Sequence, residues 1–131
     1  MTRILIADDQ PDVRAALGHL IGKADENWQL CGAAENGRAA VEQAAALKPD
    51  LVVLDMRMPQ MDGISAGRAI RAILPSTPVL IYTLFEAAAL ERSVREAGLQ
   101  GVVQKSKGIA ILQAIRDALS GKTISNGAAT H

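Results

Sequence analysis

Short apolar runs alternate along the chain with longer stretches in which apolar residues recur every three or four positions. The first run, residues 3–7 (RILIA), predicts a strand. It is too apolar for one wetted face, so both faces should be covered. Val13, Leu17, Leu20, Ile21 and Ala24 then keep helical spacing. Pro11 suits the first turn of that helix, with Asp9 or Gln10 where a cap would stand. Residues 28–33 predict a second strand, and the Ala-rich Gly37–Leu47 a helix stopped by Lys48-Pro49. Residues 51–54 (LVVL) predict a third, buried strand. A helix over 64–74 opens at the turn signal Asp62-Gly63 and closes at Pro75. A strand at 78–82, a helix at 86–97 closed by Gly98, a strand at 101–104 and a helix at 109–119 ended by Gly121 complete the pattern.

Strand and helix thus alternate five times. Such strands pair in parallel through right-handed crossovers, so the fold class is α/β: a doubly wound five-stranded parallel sheet with helices on both faces. The order 2-1-3-4-5 is the commoner arrangement for five strands. Residues 1–121 form one predicted domain. Residues 122–131 (KTISNGAATH) are small and polar and read as a linker or flexible tail.

Composition narrows the function. The 131 residues suit a single domain, and a hydrophobic content of 49% excludes wholesale disorder. Fourteen basic residues balance fourteen acidic ones, which removes the electrostatic case for nucleic-acid or membrane binding. Trp28, Tyr82 and Phe85 are the only aromatics, too few for a base-stacking platform. Cys31 stands alone, so neither an intrachain disulfide nor a Cys-rich zinc site can form. Apolar stretches fall well short of the roughly 18 residues of a membrane span, and the first residues are too short for a signal peptide; the expected location is cytoplasmic.

The polar residues carry the functional signal. Asp8 and Asp9 end strand one, Asp55 follows strand three, Thr83 strand four and Lys105 strand five. In a parallel sheet these ends share one edge, and ligands bind there where the winding reverses. With order 2-1-3-4-5, Asp8, Asp9 and Asp55 converge between strands one and three, flanked on the far side by Thr83 and Lys105. Each residue alone has an ordinary reading as a helix cap, a turn residue or a surface charge. Five of them at four strand ends on one edge do not. Carboxylates about 4 Å apart at an effective dielectric near 20 repel by about 4 kcal/mol per pair. A divalent cation relieves this, and oxygen-only donors favour Mg²⁺ or Mn²⁺. Three carboxylates, such a cation and Lys105 sum to zero charge, which leaves room for a phosphoryl group.

The run Val53-Leu54-Asp55-Met56-Arg57-Met58-Pro59-Gln60-Met61-Asp62-Gly63 closely resembles the phosphoacceptor motif of bacterial two-component response-regulator receiver (CheY-like) domains. Asp8-Asp9, Thr83 and Lys105 fall where that family has its acidic pair, its switch hydroxyl and its lysine. The resemblance covers about residues 3–120. The segment from Lys105 to Ser125, with Leu112, Ala114-Ile115, Gly121 and Ile124-Ser125, is similar to the NarL/FixJ (LuxR-type) subgroup, in which a helix-turn-helix DNA-binding domain usually follows. Here the chain ends about where the linker to that domain would begin.

The resemblance implies a flavodoxin-like fold and phosphoryl transfer from a phosphohistidine of a sensor histidine kinase to Asp55. It implies Mg²⁺ (or Mn²⁺) ligated by Asp9, Asp55 and the Arg57 backbone carbonyl, with Asp8 acting through metal-bound water. Lys105 would pair with the phosphoryl oxygens, or with Asp55 when the site is empty. Thr83 would donate a hydrogen bond to the phosphoryl group, as would the backbone N–H of Leu84 or Met56. The implied protein is a switch with no enzymatic activity beyond self-phosphorylation and autodephosphorylation. It would act through protein partners, with homodimerisation on phosphorylation a further expectation, and would control a transcription output domain. The face made by helix four, strand five and helix five is the usual output surface.

The strand-five position that is aromatic in the family, three residues before the lysine, is Val102 here, and the small residue after the threonine is Leu84. Tyr82 does not replace the missing ring, because neighbouring strand residues face opposite ways. Arg57 and Phe85 occupy positions that tune phosphoryl lifetime in the family. Alternatives are a receiver-like scaffold that no longer uses phosphorylation, an aspartyl-phosphate phosphatase of the haloacid dehalogenase type, and a flavin mononucleotide carrier. The phosphatase needs a second Asp two residues after the first, where Arg57 stands. The flavin carrier needs a phosphate cradle where Asp8-Asp9 would repel one. Gly121-Lys122-Thr123 resembles the end of a P-loop but lacks the required glycine, its place taken by Arg116. His19 reads as a surface residue and Cys31 as a small buried one.

Overall fold

The computed structural model describes residues 1–121. Strands β1 (Thr2–Ala7), β2 (Trp28–Ala34), β3 (Leu51–Asp55), β4 (Val79–Thr83) and β5 (Gly101–Gln104) alternate with helices α1 (Pro11–Ala24), α2 (Gly37–Leu47), α3 (Gly63–Ile73), α4 (Ala87–Glu96) and α5 (Ala110–Leu119). A single 3₁₀ turn, Lys105–Lys107, joins β5 to α5. The strands form one parallel sheet in the order β2-β1-β3-β4-β5. This is the doubly wound, flavodoxin-like arrangement that the alternation predicts.

Each strand sends successive side chains to opposite faces, and both faces are covered. Ile4, Ile6, Leu51, Val53, Leu80 and Val103 pack with Leu17 and Ile21 of α1 and Ile111 and Ile115 of α5. Leu5, Ala7, Val52, Leu54, Val79, Ile81 and Val102 pack with Ala40 and Ala44 of α2, Ile70 of α3 and Val94 of α4. Each fully buried Leu, Ile or Val contributes about 1.5–3 kcal/mol, so β1 and β3 at the centre anchor the sheet edge.

Caps set several helix ends. The Asn36 side chain accepts a hydrogen bond from the Ala39 N–H at 2.7 Å, and Asp62 accepts one from the Ser65 N–H at 2.8 Å. Lys48 ends α2 in the left-handed region (φ 49°), which turns the chain into Pro49. At α1 the cap residue is one of the two expected. Gln10 holds the cap position, but its side chain makes no capping bond; Asp8 Oδ1 instead accepts from the Gln10 N–H at 2.9 Å.

Several element ends lie one residue from their predicted places. Asp55 and Thr83 are the last residues of β3 and β4 rather than the residues after them, because the ladder continues through the Asp55–Tyr82 and Thr83–Gln104 pairs. Hydrophobicity marks buried side chains, and the backbone ladder outlasts it by one residue. α4 begins and ends one residue inside the predicted span, with Glu86 and Ala97 as its flanking caps. The β1–β2 register slips between Ile4 and Leu5, so Cys31 has no Cα partner and sits half-buried against the core. His19 is exposed. Among the described residues, no helix is long and apolar enough to cross a membrane. The linker or tail expected over 122–131 lies outside the described residues.

Candidate functional site at the carboxyl edge of the sheet

The C-terminal ends of β1, β3, β4 and β5 meet at one edge. Asp8 leaves β1 with its N–H bonded to the Ala34 carbonyl of β2 at 3.0 Å, and its side chain is buried. Asp55 closes β3 and is 8% exposed; Asp9 is exposed. Carboxylate oxygens of Asp8, Asp9 and Asp55 lie within 4.8 Å of one another. The three acids therefore converge between β1 and β3.

Lys105 reaches across the sheet edge. It meets Asp55, the pairing that the resemblance implies for an empty site, and Asp8 as well. Its Nζ lies 2.7 Å from Asp8 Oδ2 and 3.2 Å from Asp55 Oδ1, so it bridges both acids and sits closer to Asp8. The side chain is 9% exposed, which makes this a largely buried ion triad. Burial pushes the Asp55 carboxyl above the usual aspartate range; Lys105 opposes the rise and Asp8 adds to it. For Lys105, burial works against the ammonium. The hydrogen bond to Asp8 and the charges of Asp55 and Asp8 outweigh it, so its pKa lies above the ordinary lysine value.

Thr83 is buried, and its Oγ1 accepts a hydrogen bond from the Phe85 N–H at 3.1 Å. Its hydroxyl hydrogen stays available to donate. A cavity of about 350 Å³ opens between these groups, lined by Asp9, Gln10, Asp55, Arg57, Thr83, Leu84, Phe85 and Lys105. The Arg57 guanidinium stands 4.6 Å from the Phe85 ring centroid, a cation–π contact between two of the lining residues. Leu84 also lines this cavity but is 74% exposed.

The loop that presents Asp55 is clamped from behind. The Gly63 N–H donates to the Met56 carbonyl at 2.8 Å, and a Cβ on Gly63 would collide with the Asp55 carbonyl oxygen. This explains why a glycine follows Asp62 at the start of α3: the helix must approach the end of β3 at backbone distance. Tyr82 lies on the opposite side of the sheet from Thr83, against the α1 and α5 side, with Lys105 Nζ 5.7 Å from its ring centroid. Val102 is buried on the face of α2, α3 and α4.

The donor set is all oxygen, carries three negative charges and opens to solvent at Asp9, which fits a hard divalent cation. Sequence reasoning passed over Arg14. Its Nη1 donates to the Asp8 carbonyl at 2.7 Å, and nothing in the linear pattern of α1 distinguishes it from a solvated charge.

The chain belongs to the response regulator receiver domain family, whose family model matches residues 4–117. It is 36% identical over 122 residues to the transcriptional regulatory protein LnrK of Bacillus subtilis, covering 92% of this chain and 55% of LnrK. The chain spans about half the length, or less, of the curated relatives it matches. A LuxR-family two-component response regulator from Aurantimonas sp. superposes with a TM-score of 0.91 at 32% identity, covering 99% of this chain and 94% of that one. The receiver domain of the response regulator NarL from Mycobacterium tuberculosis superposes with a TM-score of 0.85 at 29% identity, covering 92% and 98%. The solved neighbours thus include LuxR- and NarL-type regulators, the subgroup that the end of the chain resembles. Receiver domains bind Mg²⁺ at acidic residues and partner with histidine kinases, and they act generally as switches.

Proposed function

We propose that this chain is a phosphorylation-controlled switch in which Asp55 accepts a phosphoryl group from a phosphohistidine of a sensor histidine kinase. The observation that carries this reading is the convergence of Asp8, Asp9, Asp55 and Lys105 beside a cavity that Thr83 also lines. An Asp55 carboxylate oxygen attacks phosphorus in line. The new O–P bond forms as the N–P bond to imidazole breaks, and the imidazole departs with the electron pair. The resulting acyl phosphate is energy-rich and hydrolyses, so the signal resets. Transfer of this kind depends on positioning and charge neutralisation.

Asp8, Asp9, Asp55 and the Arg57 backbone carbonyl are the groups that would hold Mg²⁺ or Mn²⁺, with Asp8 acting through bound water; the cation supplies neutralisation of the phosphoryl oxygens. Lys105, which bridges Asp8 and Asp55, would turn its ammonium to the phosphoryl oxygens. Thr83 would donate its free hydroxyl hydrogen to the same group, and the backbone N–H of Leu84 or Met56 would add another bond.

The receiver unit is assigned to 1–121 and the linker or tail to 122–131. The named transcriptional role of LnrK extends the reading to control of a transcription output, carried in such regulators outside the span matched here. The switch would act in the cytoplasm through protein contacts, including homodimerisation. The test is incubation with Mg²⁺ and acetyl phosphate, followed by intact-mass measurement. One added phosphoryl group is expected, absent from Asp55→Asn. Val102, buried where a switch aromatic is expected, supports a second reading as a scaffold that no longer uses phosphorylation. Failure of the wild-type chain to take up phosphoryl would favour it.

A further inference from the structure

We propose that Arg14 is a positioning residue of the acidic site: it holds the Asp8–Asp9 peptide so that Asp9 stays turned toward Asp8 and Asp55. This rests on the reading of that site as a divalent-cation site.

The three acids are held very unequally. Asp8 is fixed by its N–H to Ala34, by the Gln10 N–H on Oδ1 and by Lys105 on Oδ2. Asp55 is fixed by β3 and by Lys105. Asp9 is exposed, and among the described residues no hydrogen bond or ion pair holds its side chain. Its place in the cluster is therefore set by its backbone alone. That backbone begins at the peptide joining Asp8 to Asp9, and the Arg14 guanidinium holds the carbonyl of this peptide at 2.7 Å.

The reach follows from helix geometry. Arg14 lies one turn into α1, its N–H bonded to the Gln10 carbonyl at 3.0 Å, and a long helical side chain points back toward the N-terminus. The Asp8 carbonyl lies in that direction. Without the guanidinium, only the Gln10 N–H bond to Asp8 Oδ1 spans this peptide, and the peptide plane can tilt and swing Asp9 out of the cluster. No side-chain cap on Gln10 would resist this.

The two physical effects of Arg14 have opposite signs, which makes the proposal testable. Its positive charge repels an incoming cation, so by charge alone Arg14→Gln should bind Mg²⁺ more tightly. By positioning, Arg14→Gln should bind it more weakly. Removing a group that orients a ligand typically costs about 10–100-fold in metal affinity or activity.

The experiment is calorimetric titration of the full chain with Mg²⁺, without any phosphodonor. Arg14→Gln is expected to bind about tenfold more weakly, and Arg14→Lys, whose shorter side chain places its donor differently, to lose affinity to a smaller extent. Asp9→Asn should weaken binding strongly in the wild-type chain and little in the Arg14→Gln background, because Asp9 is already misplaced there. A role confined to helix stability would leave the Asp9→Asn effect the same in both backgrounds. Equal or tighter binding by Arg14→Gln, or additive Asp9→Asn effects, overturns the proposal. Should Arg14→Gln lack a folded circular dichroism spectrum, Arg14→Lys carries the test, and an affinity equal to wild type overturns it. If the wild-type chain binds no Mg²⁺, the cation-site reading fails first and this inference with it.

Discussion

Replacing Asp55 by Asn should stabilise the metal-free protein while abolishing its response to Mg²⁺. The Asp55 charge feels two acids whose oxygens lie within 4.8 Å and one ammonium at 3.2 Å. At an effective dielectric of about 20, each repulsion amounts to roughly 3.5 kcal/mol and the attraction to roughly 5 kcal/mol. Asp9 is exposed, so solvent weakens its share. The net gain from neutralising Asp55 is then on the order of 1 kcal/mol, or about 3–5 °C in Tm for a domain of this size. The upward shift of the Asp55 pKa, caused first by burial, has the same sign. A raised native pKa favours the protonated state. The wild-type chain therefore loses stability as pH rises from the ordinary aspartate value of about 4 through the raised one. The advantage of Asp55→Asn is complete above that window and shrinks within it. Thermal unfolding of both proteins near neutral pH, with chelator and with millimolar Mg²⁺, checks this. Wild type should gain from Mg²⁺ by mass action and the variant should not. A less stable variant in chelator, or an equal Mg²⁺ gain in both, would refute the electrostatic argument.

Lys105→Ala should destabilise the metal-free chain by about 3 kcal/mol in urea unfolding, because Asp8 and Asp55 are left buried without their counter-charge. The loss should shrink in the Asp55→Asn background, and an equal loss in both would contradict the bridging role. Gly63→Ala should cost about 3 kcal/mol or more, since the new methyl meets the Asp55 carbonyl oxygen and neither backbone can retreat without breaking the Gly63–Met56 bond. A stability within experimental error of wild type would show that the loop can yield. Cys31 should react with iodoacetamide at pH 8 more slowly in the native chain than in urea, because burial raises its pKa and depletes the thiolate. Equal rates would contradict the half-buried placement.

The fold was legible because its two coding devices are local. Burial on both faces makes β1 and β3 unbroken apolar runs, and the α helices keep a three-to-four spacing that differs from them. Asp62 and Gly63 announced the start of α3 through residue types with few other uses. The ends of β3 and β4 were displaced by one residue because ladder hydrogen bonds involve every residue whatever its side chain. The cap position of α1 falls on Gln10, one of the two residues expected there, but residue type could not show that its side chain makes no capping bond.

The site divides along the same line. Linear order alone determined that Asp8, Asp9, Asp55, Thr83 and Lys105 share one edge, because parallel strands in the order β2-β1-β3-β4-β5 send all their C-terminal ends the same way. The Lys105–Asp55 pair was already implied by the family resemblance; only the tertiary structure decided that Lys105 also touches Asp8 and that Arg14 reaches the same residue. Lys105 leaves β5 and crosses β4 and β3 to bridge Asp55 and Asp8, and Arg14 turns back from α1 to the Asp8 carbonyl. Both depend on the reach of a long side chain from an already packed backbone. Spacing along a chain carries the direction of an element, but not the rotamer that a buried opposite charge selects.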